Sequence, residues 1–483
     1  MNINDERNLT LLMDFYELTM AGGYFEENYT DKIGVFDMFF RRVPDEGGFA
    51  ISAGLAQFCE IVDELHFTDS DIEYLRGKEC FSEGFLDYLR NFEFHCNIWA
   101  IPEGTPIFPQ EPIVIVEGPA IEAQLIETLL LVTFNHQSLI CTKTNRIVRA
   151  AKGRPIMEFG SRRAQGYDAA VLGARAAYIG GVVGTACVMA DRLYGIPALG
   201  TMAHSWVQMF PSEYEAFKHY AEIYPDNTTL LVDTYSVLKS GIPNAIKVFD
   251  EVLKPLGKRP KGVRIDSGDI AYLSKKARKL LDAAGYQDCG ICASNSLDEY
   301  LVRDLLLQDA KVDSFGIGEN MITSKSDPVF GGVYKLAAVK DGEKYIPKIK
   351  ISETAEKMTI PHLKNVYRIY DDETGKAMAD YITMYDEAVD TAGGITLFDP
   401  VETWKSRTFT NVHAKKLNVP IYVNGKRIYE NPPLKEIRTF CAAQVNTLWD
   451  EVTRFENPHR YYVDLSQKLW DERQALLKQF GKK

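Results

Sequence analysis

Lys258-Arg-Pro-Lys-Gly262-Val-Arg264-Ile-Asp266-Ser267-Gly268-Asp269-Ile-Ala-Tyr272 carries the junction on which the fold turns. Gly262-Val-Arg-Ile is short, β-branched and apolar, which predicts a buried strand. It runs straight into Asp-Ser-Gly-Asp, and Leu273, Ala277, Leu280 and Leu281 then recur at helical spacing. Strand, polar turn and helix in that order make a βα unit, and α/β proteins place their sites at the carboxyl ends of such strands. Two carboxylates, a hydroxyl, a glycine and an arginine suit a ribose, a metal-bound pyrophosphate, or both. The plainer reading is that Asp269 caps the helix while Asp266 and Ser267 satisfy turn amides.

The same phase recurs on either side. Apolar strand candidates end near Phe159, Val183, Ala203, Val232, Ile265, Ala293, Ile317 and Val339, spaced as βα units are. Helical patterns fill Asp168–Ala176, Ser212–Tyr224, Pro243–Leu256, Leu273–Ala284 and Leu297–Leu307. Ser212 with Glu215 has the form of a capping box, and Asp298 and Glu299 after Ser296 make an acidic helix start. Eight roughly even strands predict a parallel βα barrel, within an α/β chain. Nearly every strand end is polar or glycine-rich: Glu158-Phe-Gly-Ser-Arg162-Arg163, Gly180-Gly-Val-Val183-Gly184, His204-Ser205, Asp233-Thr-Tyr235, Asp266 to Asp269, Ser294-Asn295-Ser296 and Gly316-Ile-Gly318. In a barrel these groups converge on one face.

Outside this rhythm the texture differs. Residues 1–120 begin with an apolar-periodic helix (9–25) that carries Asp14 and Tyr16, and continue with strand pieces and Pro/Gly turns, an N-terminal α+β domain. A long helix over 121–150 opens the barrel domain, 121–345. Residues 346–483 alternate charged strand pieces with turns such as Asn424-Gly425 before ending in amphipathic helices. They are expected to return to the N-terminal domain and add a helical extension.

Composition narrows the class of function. The 483 residues carry a net charge of −12 and no long basic run, which argues against nucleic acid and anionic membrane as partners. The most apolar window, Leu125 to Ile140, is interrupted by Glu127, Asn135 and His136, so no membrane span is predicted. Eight scattered cysteines, including the lone pair Cys289 and Cys292, fit reduced thiols in the cytoplasm.

Single residues add chemistry. Gly316 and Gly318 stand late in the barrel, where glycine lets backbone N–H groups approach a phosphate; a tight turn would use them equally. Arg162 and Arg264 are non-titrating cations suited to phosphate or carboxylate, while Arg163 suits a surface pair. Phe159 is either a core ring or a platform for a flat ligand. His204 is either structural or a catalytic, phosphate-accepting imidazole. A phosphosugar aldolase or isomerase on the same barrel would instead need a Schiff-base lysine, for which Lys335 is the late-strand candidate, or a carboxylate base at a strand end.

Taken together, Asp14-Phe-Tyr16-Glu-Leu-Thr-Met, Phe39-Phe-Arg-Arg42, Glu158-Phe-Gly-Ser-Arg162-Arg163, Gly200-Thr-Met-Ala-His204-Ser205, Asp233-Thr-Tyr, Val263-Arg-Ile-Asp-Ser-Gly-Asp269 and Phe315-Gly-Ile-Gly318 resemble the nicotinate phosphoribosyltransferases over essentially the whole chain. The resemblance implies the irregular barrel of the type II phosphoribosyltransferases. It also implies a reaction joining nicotinate to 5-phosphoribosyl-1-pyrophosphate (PRPP), coupled to ATP hydrolysis, giving nicotinate mononucleotide and pyrophosphate for NAD biosynthesis. By the same resemblance Phe159 stacks on the pyridine, and Tyr16 covers its other face from the second subunit of a homodimer. His204 is the histidine that ATP phosphorylates. Arg162, Arg264 and Asp266 surround the sugar and phosphates, with Arg264 and Ser205 also near the nicotinate carboxylate. Asp233, Ser267, Asp269 and Asn295 line the substrates, although Asn295 stands where some relatives have an acid. Gly316 and Gly318 form the 5-phosphate loop, and Mg²⁺ bridges pyrophosphate oxygens without a protein cage. Val183 occupies the position where nicotinamide-using relatives carry an aspartate, which favours the acid over nicotinamide phosphoribosyltransferase activity.

Overall fold

The computed structural model describes residues 7–352 and 358–481, which fall into two units. The first joins the chain up to Thr142 to the chain from Asp327 onward; the second is Lys143–Ser326. Expected domain edges at 120/121 and 345/346 compare with observed ones at 142/143 and 326/327.

The first unit is built on a seven-stranded antiparallel sheet. Its order is Lys344–Pro347, Val333–Asp341, Ile33–Phe39, Val114–Pro119, Asn97–Ala100, Val419–Val423, Lys426–Arg427. Strands from both ends of the chain are therefore hydrogen-bonded to one another. A four-stranded sheet (Val412–Lys416, Lys364–Asp371, Ala377–Met384, Val463–Leu465) shares its apolar core through Val366, Ile382 and Leu465. Two buried ion pairs cross this interior. Lys364 Nζ lies 2.6 Å from Asp37, both almost without solvent contact. Burial pushes the Asp37 carboxyl up and the Lys364 ammonium down, and each charge partly restores the other. Arg368 forms two bonds to Asp380, at 2.7 and 2.6 Å, and its guanidinium lies over the Phe108 ring.

The second unit is a parallel sheet with helices between its strands. Strand order is Gly184–Thr185, Ile156–Glu158, Ser314–Ile317, Gly290–Ser294, Gly262–Ile265, Thr229–Leu231. The chain is thus a mixed α/β protein, and its parallel sheet is open along the six strands rather than closed into the expected eight-stranded barrel. Five of the eight expected strands appear where the sequence put them. Three corrections follow. The run before Val183 continues the helix Tyr167–Gly180, and only Gly184–Thr185 pairs. Ala203 ends no strand, since that segment contributes only a bridge from Ala198 to Thr185. Val339 lies in the antiparallel sheet of the first unit, paired with Gly34. The expected helix 121–150 is divided into Ala120–Leu125 and Glu127–Ala150.

Local signals explain several helix starts. Thr68 and Asp71 form a reciprocal capping box ahead of Asp69–Arg76. Ser212 caps Glu213–Ile223 by accepting from Glu215 N, and Asp298 rather than Ser296 caps Glu299–Leu307. Among the described residues, no helix is long and apolar enough to cross a membrane.

Removing one partner of a dry ion pair strands the other. Lys364→Met is expected to cost about 3–5 kcal/mol in urea denaturation, and Asp37→Leu combined with it should recover most of the loss. A double variant no more stable than Lys364→Met would show that the pair is not what the site requires.

Candidate active site

Strand register sets the site. Leu231 pairs with Arg264, Arg264 with Cys292, and Ser294 with Gly316, which pairs in turn with Met157. Two residues beyond the first pair, Asp233 and Asp266 therefore stand side by side, and Asp266 stands beside Ser294. Their side chains are tied accordingly. Asp233 Oδ2 accepts from the Asp266 amide at 2.9 Å and the Ser267 hydroxyl at 2.6 Å. The Ser294 hydroxyl donates to Asp266 Oδ1. This row of strand-end groups follows from the parallel ladder, not from loop conformation.

His204 opens the short helix His204–Gln208 and faces that row. Its Nδ1 is 3.2 Å from the Thr234 hydroxyl, while Nε2 lies 3.8 Å from Asp266 Oδ2 and 4.0 Å from Asp233 Oδ1. Arg264 reaches across to the Met202 carbonyl at 2.9 Å, fixing the segment that precedes His204. Two polar atoms here are buried without a hydrogen-bond partner: Asp233 Oδ1 and Arg264 Nε. Unspent donors and acceptors in a buried strand-end cluster mark a place prepared for a ligand's oxygens.

Asp269 does what the plainer reading required: its Oδ1 accepts from Tyr272 N at 2.9 Å and caps Ile270–Ala283. Gly268 has φ +81°, which favours glycine in the turn. Asn295 (φ 94°) and Ser296 (φ 32°) are exposed and also left-handed, an unfavourable backbone for side-chain-bearing residues at a strand end.

At the other end of the row, Phe159 is half-buried and its amide donates to the Ile317 carbonyl at 2.8 Å. A Cβ on Gly316 would stand 2.5 Å from the Phe159 ring, and one on Gly318 would stand 2.8 Å from the Phe159 carbonyl oxygen. Both glycines thus make room for Phe159, a role distinct from binding phosphate. Next to Phe159 in sequence, the fully buried Glu158 accepts from Thr185 Oγ1 at 2.6 Å and from the Gly160 amide, just ahead of the turn Ser161–Arg163. Burial raises the Glu158 carboxyl above the usual range. Arg162 is exposed, and Arg163 lies 3.9 Å from Glu319 in the surface pair foreseen for it. Val183 is exposed beside Gly184, its amide bonded to Ile156 O at 2.9 Å, and Ser205 is exposed next to His204.

Tyr16 belongs to the first unit, on the helix Phe15–Glu26. It is exposed, and burial of the hydroxyl together with neighbouring Glu127 raises its pKa. Lys335 also belongs to that unit, inside the antiparallel sheet, with Nζ donating to the Tyr334 carbonyl at 2.6 Å. It is at no parallel strand end, so it is not placed as the Schiff-base lysine an aldolase would need. Cys289 and Cys292 are buried thiols, both made less acidic by burial. Sequence reasoning did not assign roles to Glu158, Thr185, Thr234 or Ser294. Glu158, Thr234 and Ser294 were visible as strand-end polar groups without a role, whereas Thr185 needed the fold to bring it near.

The double role of Gly316 is testable. Gly316→Ala should destabilise by about 1–3 kcal/mol through overpacking. In a Phe159→Ala background most of that cost should vanish, read as a coupling energy in a double-mutant cycle. Additive losses would mean the ring does not press on Gly316.

Comparison with known proteins gives a consistent picture. The model of the nicotinate phosphoribosyltransferase (NAPRTase) family matches residues 155–382, its N-terminal domain 11–135 and its C-terminal domain 363–473. A nicotinate phosphoribosyltransferase of Bacillus subtilis is 43% identical over 468 residues, covering 96% of this chain and 94% of that protein. The Homo sapiens nicotinate phosphoribosyltransferase is 31% identical over 516 residues, covering 95% of each. The crystal structure of human nicotinic acid phosphoribosyltransferase superposes with a TM-score of 0.85 at 29% identity, covering 96% of this chain and 99% of that one.

Proposed function

Because the chain belongs to the nicotinate phosphoribosyltransferase family, we propose that its strand-end row joins nicotinate to PRPP, releasing nicotinate mononucleotide and pyrophosphate, with ATP hydrolysis coupled to the step. The observation that carries this reading is the linked set Arg264, Asp266, Asp233 and His204, with polar atoms left unspent. We read the open parallel sheet as the catalytic part of an irregular type II barrel.

The chemistry needs little from the protein beyond placement. The pyridine nitrogen is already nucleophilic, and the sugar becomes oxocarbenium-like as pyrophosphate leaves. Catalysis then consists of aligning the partners and stabilising the developing charge. Asp266 faces the sugar, and Arg162 and Arg264 take phosphate or carboxylate oxygens. Phe159 offers the stacking face, and Gly316 and Gly318 leave backbone amides open to the 5-phosphate. Mg²⁺ supplies charge neutralisation on the pyrophosphate. The free Asp233 Oδ1 and neighbouring Asp266 fit an ion held mainly through substrate oxygens. His204, flanked by a hydroxyl and two carboxylates, suits transient phosphorylation by ATP: one ring nitrogen takes the phosphoryl group while the proton on the other faces a carboxylate.

For the substrate, Val183 lacks the acceptor that an amide N–H requires, so the acid is favoured over nicotinamide. Tyr16 completes the pyridine sandwich from the partner subunit of a homodimer. Eight cysteines scattered along the chain suit a reducing cytoplasm.

Pyrophosphate release on mixing nicotinate, PRPP and Mg²⁺ tests the reaction, and failure to release it sinks the reading. His204→Ala should keep slow turnover but lose ATP stimulation and labelling by γ-labelled ATP; undiminished labelling would remove the phosphohistidine. For the shared site, inactive Tyr16→Ala and inactive Phe159→Ala subunits should regain activity on mixing. No recovery despite demonstrated subunit exchange would place Tyr16 outside a composite site.

A further inference from the structure

Away from the strand-end row, the first unit contains a cavity of about 700 Å³ that nothing in the proposed reaction uses. It lies between the edge strand Val412–Lys416 with the chain following it, the Pro102–Thr105 turn and the helix Leu434–Asn446. Its walls are mainly apolar, from Leu417, Val419, Tyr429, Ile437 and Phe440. The size is that of a small-molecule site, and the polar groups around it are few.

Among the charged groups of the lining, lysines outnumber acids. Lys415, Lys416 and Lys435 line the cavity, and no ammonium among them has a hydrogen-bond or ion-pair partner among the described residues. The three lysines are exposed at the cavity and, set against Glu103 and Glu436, leave its lining with a net positive charge in a chain of net charge −12. Partial burial with no compensating carboxylate holds the Lys416 ammonium below the usual lysine range. The acids of the lining do not answer them: Glu103 is buried and accepts from the Gly54 amide at 2.6 Å, and Glu436 is exposed on the helix. Deeper in the lining, Thr105 is 1% exposed and its hydroxyl has no hydrogen-bond partner. A buried hydroxyl without a partner costs on the order of 1–3 kcal/mol, a deficit that a ligand atom can remove.

We propose that this cavity is a second ligand site, which takes a small amphipathic organic anion. Its apolar body lies against Leu417, Ile437 and Phe440, its carboxylate, sulfonate or phosphate meets the lysines, and a polar atom reaches the Thr105 hydroxyl. The lysines select charge and the cavity selects size, so a neutral compound of equal shape binds less well.

The test is titration of the whole protein with 1-anilinonaphthalene-8-sulfonate, followed by fluorescence, with saturating nicotinate present to occupy the proposed catalytic site. One saturable site per chain is expected. The Lys415→Glu/Lys416→Glu variant should weaken binding at least tenfold, as should Ala443→Trp, which fills the cavity. Thr105→Val should weaken it less. Phe159→Ala should leave binding unchanged, which separates this site from the catalytic one even if the proposed reaction fails. Three results would overturn the proposal. The first is equal affinity in the lysine variant, and the second is loss of binding in Phe159→Ala. The third is a doubling of mass in sedimentation that Ala443→Trp abolishes, which would give the face to a second copy of the chain.

Discussion

A single carboxylate oxygen, Oδ2 of Asp233, receives both the backbone amide and the neighbouring hydroxyl of the adjacent strand end. Only the parallel register of Thr229–Leu231 against Gly262–Ile265 makes this possible. Side chains alternate along a strand, so a slip of one residue would turn Asp233 away and present an apolar neighbour instead. The same register puts Ser294 beside Asp266 and Gly316 beside Ser294. The strands are short and their inward residues apolar, so the core fixes the register and the register fixes the polar row. Packing of Val263, Ile265, Leu230 and Ile291 is in this sense a condition for the geometry around His204.

The row also leaves some bonding capacity unused. Asp233 Oδ1 and Arg264 Nε are buried without hydrogen-bond partners. Such groups are stable only because the surrounding ladder over-determines their positions. The left-handed Asn295 and Ser296 at the next strand end belong to the same pattern. Where a structural segment would relax, this one is held.

Much of this was legible in the sequence, for reasons that differ by residue. Gly262–Ile265 followed by Asp-Ser-Gly-Asp was readable because strand, turn and helix signals coincide within a few residues. Asp269 was readable both as a cap and as a site residue, and the structure supports the cap. The run Tyr178 to Val183 misled because apolar residues of a buried helix and a buried strand share one composition; length should have decided for the helix. Ala198 to Ala203 has small residues without the β-branched content that would hold a strand. Val339 was placed in the wrong sheet because its strand has the apolar content of the strands before it, while its partner Gly34 lies some 300 residues earlier in sequence. Glu158 illustrates the converse limit: a buried acid is recognisable only once Thr185 and the Gly160 amide surround it.

The interleaving of the two units bears on how the chain is made. The strand Ile33–Phe39 lies between Val114–Pro119, which follows it soon, and Val333–Asp341, which follows it by about 300 residues. At a ribosomal pace of about 5–20 residues per second, its second edge stays unpaired for roughly 15–60 s after it emerges. Lys143–Ser326 leaves the ribosome during that interval as one continuous stretch with its own sheet and core. The inserted unit can therefore complete its fold before the unit that encloses it. During that delay an apolar edge strand waits for a partner, and another nascent chain could supply one. The nascent protein is accordingly most exposed to edge-to-edge association between the synthesis of its first and last sheet strands.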